Sequence, residues 1–237
     1  PYLENWDYRY DMNSTAASVF DTFFITLTRN TLSGLVGEEI YQNLIRVENI
    51  PIRIMKRLLQ ENSFLFQEVG ANGIDSRDEI IRLSMQESIE WLSEQYGDEP
   101  VQWRWENLHT LTLRPALFAE ASDDPDAPAV LKMIVNNLMS KGPYPVPGQG
   151  TTVNKAQYDW SNPYQMLLGP SIRRIVDFGN LNRIETVTPT GQSGNPLSEY
   201  FGDQTELWLQ GQYRYLYQDS TFFREVSYQT MRLEPAH

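Results

Sequence analysis

A change of pattern along the chain constrains its fold more than any other feature. The first hundred residues carry apolar side chains at spacings of three and four. The remainder is dense in proline and glycine, with short runs rich in Ile, Val, Thr and Tyr. A period near 3.6 marks amphipathic helix, and short β-branched runs between turn residues mark strands. Helices first and strands later imply an α+β fold rather than a βαβ alternation. The expected organisation is a mainly helical stretch over 1–110 and a loop-rich stretch with antiparallel strands over 111–237.

The helical stretch has readable boundaries. Asn13-Ser14 can cap a helix whose apolar face is Ala16, Phe20, Phe23 with Phe24, and Leu27. Gly34 and Gly37 are expected to interrupt it. Ile40, Leu44 and Val47 then define one face of a second segment. Pro51 suits the first turn of a third, which carries Ile52, Met55, Leu58 and Leu59. Gly70 and Gly73 mark the next break. Ser76 and Glu79 have capping-box spacing ahead of Ile81, Met85, Ile89, Leu92 and Tyr96, and Gly97 is placed to stop that helix. The stripe is read as core packing.

Beyond it, Lys141 to Gly150 is the most turn-rich segment and is expected to be an ordered surface loop. Strands are expected over 171–178, 183–188, 214–217 and 228–233. No internal repeat or low-complexity tract is present.

Charge and composition exclude several functions. The 19 Lys and Arg against 31 Asp and Glu give a net charge of -12, which repels phosphate backbones and argues against a nucleic-acid partner. The absence of cysteine excludes disulfides, thiolate metal sites and a Cys nucleophile within this chain. No apolar run approaches a membrane span, and no basic-then-apolar opening marks a signal peptide.

Individual chemical candidates are thin. Pro1 offers a secondary amine, but nothing around it resembles an amine-based catalytic site. Of the two histidines, His237 ends the chain, where order is least expected. His109 has no legible Ser-His-Asp or metal set around it and is read as structural. Asp177, Glu185, Glu199 and Asp203 fall near the strands. A glycosidase would need two of them across a cleft, and aromatic residues could line a carbohydrate-binding face. Asp123-Asp-Pro-Asp126 lacks the glycine and distal glutamate of a calcium loop and is read as a solvated acidic turn.

Gly191-Gln-Ser-Gly-Asn-Pro196 is neither a nucleophile elbow nor a phosphate loop. It reads as a rigid corner in which two glycines take positive φ and Gln192, Ser193 and Asn195 bond to backbone. Asp203-Gln204 beyond it would cap a helical turn that buries Leu207 and Trp208.

Together these segments resemble the penicillin acylase family of N-terminal nucleophile hydrolases. Trp6-Asp7, Met12 and Ser14-Thr-Ala-Ala17 with Phe20 are similar to an early family helix, with Asn13 for the usual aspartate. Trp91 to Gly97, Trp103 and His109 are similar to a middle block, with Glu106 where glycine is usual. Gly169 to Asp177, Gly191 to Pro196 and Asp203-Gln204 are its most specific elements. Glu199-Tyr200 stands where many members carry Pro-His-Tyr, so a histidine is lost there.

The resemblance implies an αββα sandwich shared between a small α chain and a large β chain. It places this chain in the C-terminal portion of the β subunit. It also implies cleavage of a linear acyl-amide bond in penicillins, cephalosporins or acyl-homoserine lactones. The N-terminal Ser nucleophile, the oxyanion Asn and any calcium ligands would precede this segment, so no cofactor is assigned within it. The implied partners are the remaining β segment and the α chain, and the implied location is periplasmic or extracellular. The one site residue the resemblance offers is Asp177. It lies in Val176-Asp177-Phe178-Gly179 and would be an orienting carboxylate where some members have glutamate. The plainer reading of Asp177 is a strand-end carboxylate paired with Arg173 or Arg183. Alone, the chain is expected to show no turnover. A half-sandwich would expose an apolar face or dimerise through it. The alternative is a non-catalytic binding or structural domain of the same fold.

Overall fold

A computed structural model describes residues 2–46, 49–61, 77–116, 118–219, 221, 224–225 and 231. Val47, Gly70, Gly73, Ser76, Pro1, His237 and most of the run 228–233 lie outside them. The chain forms two compact units, Pro1–Gly169 and Pro170–His237. It mixes helices with small sheets, and the break falls at the Gly169-Pro170 pair.

Among the described residues, the longer helices of the first unit are α1 (Thr15–Val36), α2 (Glu38–Ile45), α3 (Asn49–Glu61) and α4 (Arg77–Tyr96). Ser14 caps α1, its Oγ accepting from the Ala17 N–H at 3.1 Å. Gly34 does not interrupt α1. The helix runs on to Gly37, where a φ of +81° suits glycine. In α2 the expected face is displaced by one residue. Tyr41 and Ile45 are buried, while Ile40 is exposed. The reason is that Tyr41 and Ile45 are the pair that joins the core cluster containing Leu27 and Leu32 of α1. In α4 the buried line is Ile80, Ser84, Ser88 and Leu92, with Ile81, Met85 and Ile89 beside it. Small serines at the centre of that line let α4 lie close against α1. Gly97, with φ of +95°, ends it and donates to Ser93 O at 2.8 Å.

A short turn of helix, α5 (Trp105–Leu108), leads into a three-stranded sheet of order β2-β1-β3. The strands are β1 (Thr110–Leu113), β2 (Lys141–Pro145) and β3 (Gln165–Met166). β1 pairs antiparallel with β2 and parallel with β3, so this sheet is mixed rather than purely antiparallel. The segment 141–150 therefore supplies a strand and a buried turn instead of a surface loop. Val146, Gly148, Gln149 and Gly150 are all buried. Their backbone is satisfied by the core, with Val146 N–H donating to His109 O and Gly148 N–H to Tyr10 O.

The second unit is built on an antiparallel sheet of order β4-β5-β6: β4 (Arg173–Val176), β5 (Arg183–Val187) and β6 (Arg214–Tyr217). These fall within the expected strand segments. Ile184 and Val187 of the central strand are buried. A short helix over Thr205–Leu209 buries Trp208, whose Nε1–H donates to Pro170 O at 3.2 Å. Arg173 lies 4.2 Å from the Trp208 ring centroid and also donates to the Trp208 carbonyl.

Candidate functional site

The chemistry-bearing residues of the first unit converge on Trp105, which is fully buried. Its ring stacks on His109 at 4.8 Å between centroids and meets Tyr10 and Tyr164 edge-on. Its Nε1–H donates to Gly148 O at 2.9 Å, which ties the 141–150 turn to the core.

Behind this aromatic set lies a buried carboxylate. Asp21 sits on the inward face of α1, at 5% exposure. The hydroxyls of Tyr158 and Tyr10 donate to its two oxygens, the latter at 3.1 Å. Among the described residues no cation pairs with it. Burial raises its pKa to about 6, and the two tyrosine bonds offset part of that rise. Burial and the nearby carboxylate also push the Tyr158 hydroxyl well up, so the phenol keeps its proton. One turn-face away, Thr22 Oγ1 and the Tyr164 hydroxyl bond at 2.9 Å.

His109 completes the group. Its Nδ1 lies 2.9 Å from the carbonyl of Tyr164. A carbonyl only accepts, so Nδ1 carries the proton and Nε2 is a bare acceptor. Nε2 is buried without a partner, and burial lowers the ring's pKa to about 4. The imidazole is thus held neutral as a packing and bonding element, in line with the structural reading of the sequence. This constellation is closed to solvent and holds no exposed nucleophile. Its chemical capacity is to lock α1, α5 and the 146–166 segment together.

Asp21 escaped the sequence reading, although a visible signal existed. It is a charged residue inside the apolar run Val19-Phe20-Asp21-Thr22-Phe23. Tyr158 and Tyr164 gave no signal, because they lie in irregular chain whose path only the fold defines.

A groove of about 490 Å³ opens beside this centre. Arg29 and Asn30 of α1, Tyr41 and Ile45 of α2, Trp91 of α4 and the buried Trp160 are among its lining residues.

In the second unit, Asp177 is exposed just after β4, and its Oδ1 accepts from the Gly179 N–H at 2.8 Å. The two arginines considered for it have other contacts. Arg173 covers Trp208, and Arg183 lies 3.7 Å from the Tyr215 centroid. The Gly191–Pro196 corner is rigid for a different reason from the expected one. Neither glycine has positive φ. Gly191 is required because a Cβ would stand 1.8 Å from the carbonyl oxygen of Tyr200. Gly191 and Ser193 N–H groups donate to Phe201 O and Tyr200 O, and the Ser193 and Asn195 side chains accept from nearby backbone. Gln204 does not cap the next helix through its side chain. It is buried and accepts from the Thr188 N–H, which pins that helix to the end of β5. Asp203 lies 3.5 Å from Arg214.

Among the described residues no group of three or more His, Asp or Glu could hold a metal ion. Asp123 of the acidic turn instead takes a bidentate pair from Arg114 at 2.7 and 2.8 Å. Among the described residues no helix is long and apolar enough to cross a membrane.

Comparison with known proteins places these features. The acyl-homoserine lactone acylase QuiP of Pseudomonas aeruginosa is 29% identical over 245 residues, covering 99% of this chain and 28% of the relative. Its counterpart in Pseudomonas putida is 23% identical over 239 residues, covering 98% and 28% respectively. That of Pseudomonas syringae pv. syringae is 27% identical over 155 residues, covering 65% and 18%. The chain thus spans under a third of the length of these relatives. A model of the penicillin amidase family matches residues 1–222, from the capped α1 through the Gly191 corner and β6, and the chain belongs to that family.

Proposed function

We propose that this chain is the C-terminal β-subunit portion of a protein that hydrolyses linear acyl-amide bonds. The observation that carries the reading is the family match over residues 1–222. The relatives named acyl-homoserine lactone acylases support an acyl-homoserine lactone as the substrate class. The nucleophile is an N-terminal serine outside this chain. Its hydroxyl attacks the amide carbonyl, its own α-amine takes the proton and passes it to the leaving amine, and water then releases the acid. Backbone and Asn donors hold the oxyanion, also outside this chain.

The part played here is architectural. The β4-β5-β6 sheet contributes to an αββα sandwich, and the Asp21–His109 centre keeps the helical unit rigid. Exposed apolar side chains on the second unit, including Ile175, Phe178, Leu197 and Leu216, support a reading in which the remaining β segment and the α chain cover them. The protein works in the periplasm or outside the cell. Asp177 acts as a positioning residue, its carboxylate orienting a group near the nucleophile.

The test is turnover of an N-acyl-homoserine lactone and a chromogenic phenylacetyl amide by the longer protein that contains this chain. Cleavage that disappears when the N-terminal serine becomes alanine is expected, with none by the 237-residue chain alone. Turnover by the short chain, or none by the serine-bearing assembly, would refute the proposal. For Asp177→Asn, kcat falls with KM unchanged. An unaltered kcat removes Asp177 from the mechanism.

A further inference from the structure

We infer that the cleft between residues 8–11 and 147–154 is a binding site for a neutral, gluco-configured pyranoside of one or two rings. The inference stands apart from the hydrolase reading. The cleft encloses about 470 Å³, within the range of small-ligand sites. Tyr8, Arg9 and Asp11 line one wall, and Val153 and Asn154 line the other. Both walls belong to the first unit.

Tyr8 is the first observation. It is an aromatic residue held at a φ of +64°, where bulky side chains rarely sit, and it is 79% exposed. Its surroundings fix it there. The Arg9 N–H donates to Asp7 Oδ1 at 3.1 Å, and Trp6 Nε1–H donates to Arg9 O at 3.0 Å. The Trp6 ring lies 5.5 Å from the Tyr8 ring and meets Tyr10 edge-on, and Tyr10 in turn meets the buried Trp105. A strained, exposed ring braced from the core is a pre-set platform. It can take the flat C–H face of a sugar ring with little ordering cost. The second observation is the Arg9–Asp11 ion pair, 3.3 Å apart with both side chains more than half exposed. It sets donors beside an acceptor at the cleft wall, and the hydroxyls of a vicinal diol both donate and accept. The pair is neutral as a whole, and a chain of net charge -12 disfavours an anion. A neutral polyol is therefore preferred to an acid. Equatorial hydroxyls leave both faces of a gluco-configured ring flat, so one face meets Tyr8 while Val153, fully exposed on the far wall, covers the other.

The experiment is saturation-transfer NMR on the longer protein carrying this chain. Cellobiose is the probe. Glucuronate is the anionic control, and N-acetyl-leucine amide is the neutral apolar one. Saturable transfer to the ring C–H protons of cellobiose is expected, with weaker binding of both controls. Tyr8→Ala should weaken cellobiose about tenfold, whereas Tyr8→Phe keeps the platform and should stay within about twofold. Asp11→Ala, which leaves the ring in place, should also weaken binding several-fold. No transfer at about 20 mM cellobiose, an affinity indifferent to Tyr8→Ala, or tighter binding of either control would overturn the inference. Failure of the hydrolase reading would appear in turnover and leave this binding untouched.

Discussion

The hydroxyl of Tyr158 donates into the carboxylate of Asp21 across a sequence separation of 137 residues. This bond joins the first helix to irregular chain between β2 and β3. It does so with a carboxyl group whose pKa is raised, at the centre of a closed aromatic cluster. His109, whose pKa is lowered, packs against the same Tyr158 ring at 5.5 Å.

The two groups impose opposite pH dependences. Asp21 has a folded pKa of about 6 against 3.8, so the native state holds its proton more tightly. Stability from this group is full below 3.8 and is lost as pH rises through 6. His109 has a folded pKa of about 4 against 6.5, so the unfolded state holds its proton more tightly. Stability from this group is full above 6.5 and is lost as pH falls toward 4. Each effect is at most about 3 kcal/mol, so the two nearly cancel in wild type. Urea midpoints between pH 4 and 6.5 should show this by contrast. Relative to wild type, Asp21→Asn should gain stability with rising pH, and His109→Asn should lose it. Parallel profiles for all three proteins would contradict the assignment.

Ser14 and Asn13 offer a simple discrimination. Both residue types can cap, yet only the Ser14 side chain accepts from the first turn of α1. Ser14→Ala should cost about 1 kcal/mol, while Asn13→Ala should lie within a few tenths of zero. Equal losses in chemical denaturation would show that the cap is misassigned.

Thr22 and Tyr164 should be energetically coupled. Either Tyr164→Phe or Thr22→Val leaves a buried hydroxyl without its partner, at about 1–2 kcal/mol. The double variant removes both and should cost less than the sum. Strict additivity in a double-mutant cycle would rule the bond out as a contributor.

The glycines of the 191–196 corner should differ sharply. Gly191→Ala drives a Cβ into the Tyr200 carbonyl and should destabilise the second unit by about 2 kcal/mol or more. A Cβ on Gly194 meets nothing within 4 Å, so Gly194→Ala should be close to neutral. Thermal denaturation of the two variants tests this, and matching melting temperatures would argue against a close-packed corner.

What the sequence determined by itself was local. The Ser14 cap, the Gly37 and Gly97 stops, the α4 periodicity and the strands at 173–176, 183–187 and 214–217 follow from propensity and turn chemistry within a few residues. The ordered set of segments around Gly169–Asp177 and Gly191–Pro196 was also enough to reveal the family. What only the tertiary structure decided was how distant residues meet. The face of α2, the strand at 141–145 and the mixed β2-β1-β3 sheet depend on pairing across the chain. So does the meeting of Asp21, His109, Tyr158 and Tyr164, since none of these lies within one element of the others except His109 beside its helix. The apolar run around Asp21 marks it as unusual, but only the fold supplies its hydroxyl donors and removes water. A glycine reads as a source of positive φ until the fold brings a carbonyl against it. Both properties belong to surroundings assembled by long-range packing, which no local pattern encodes.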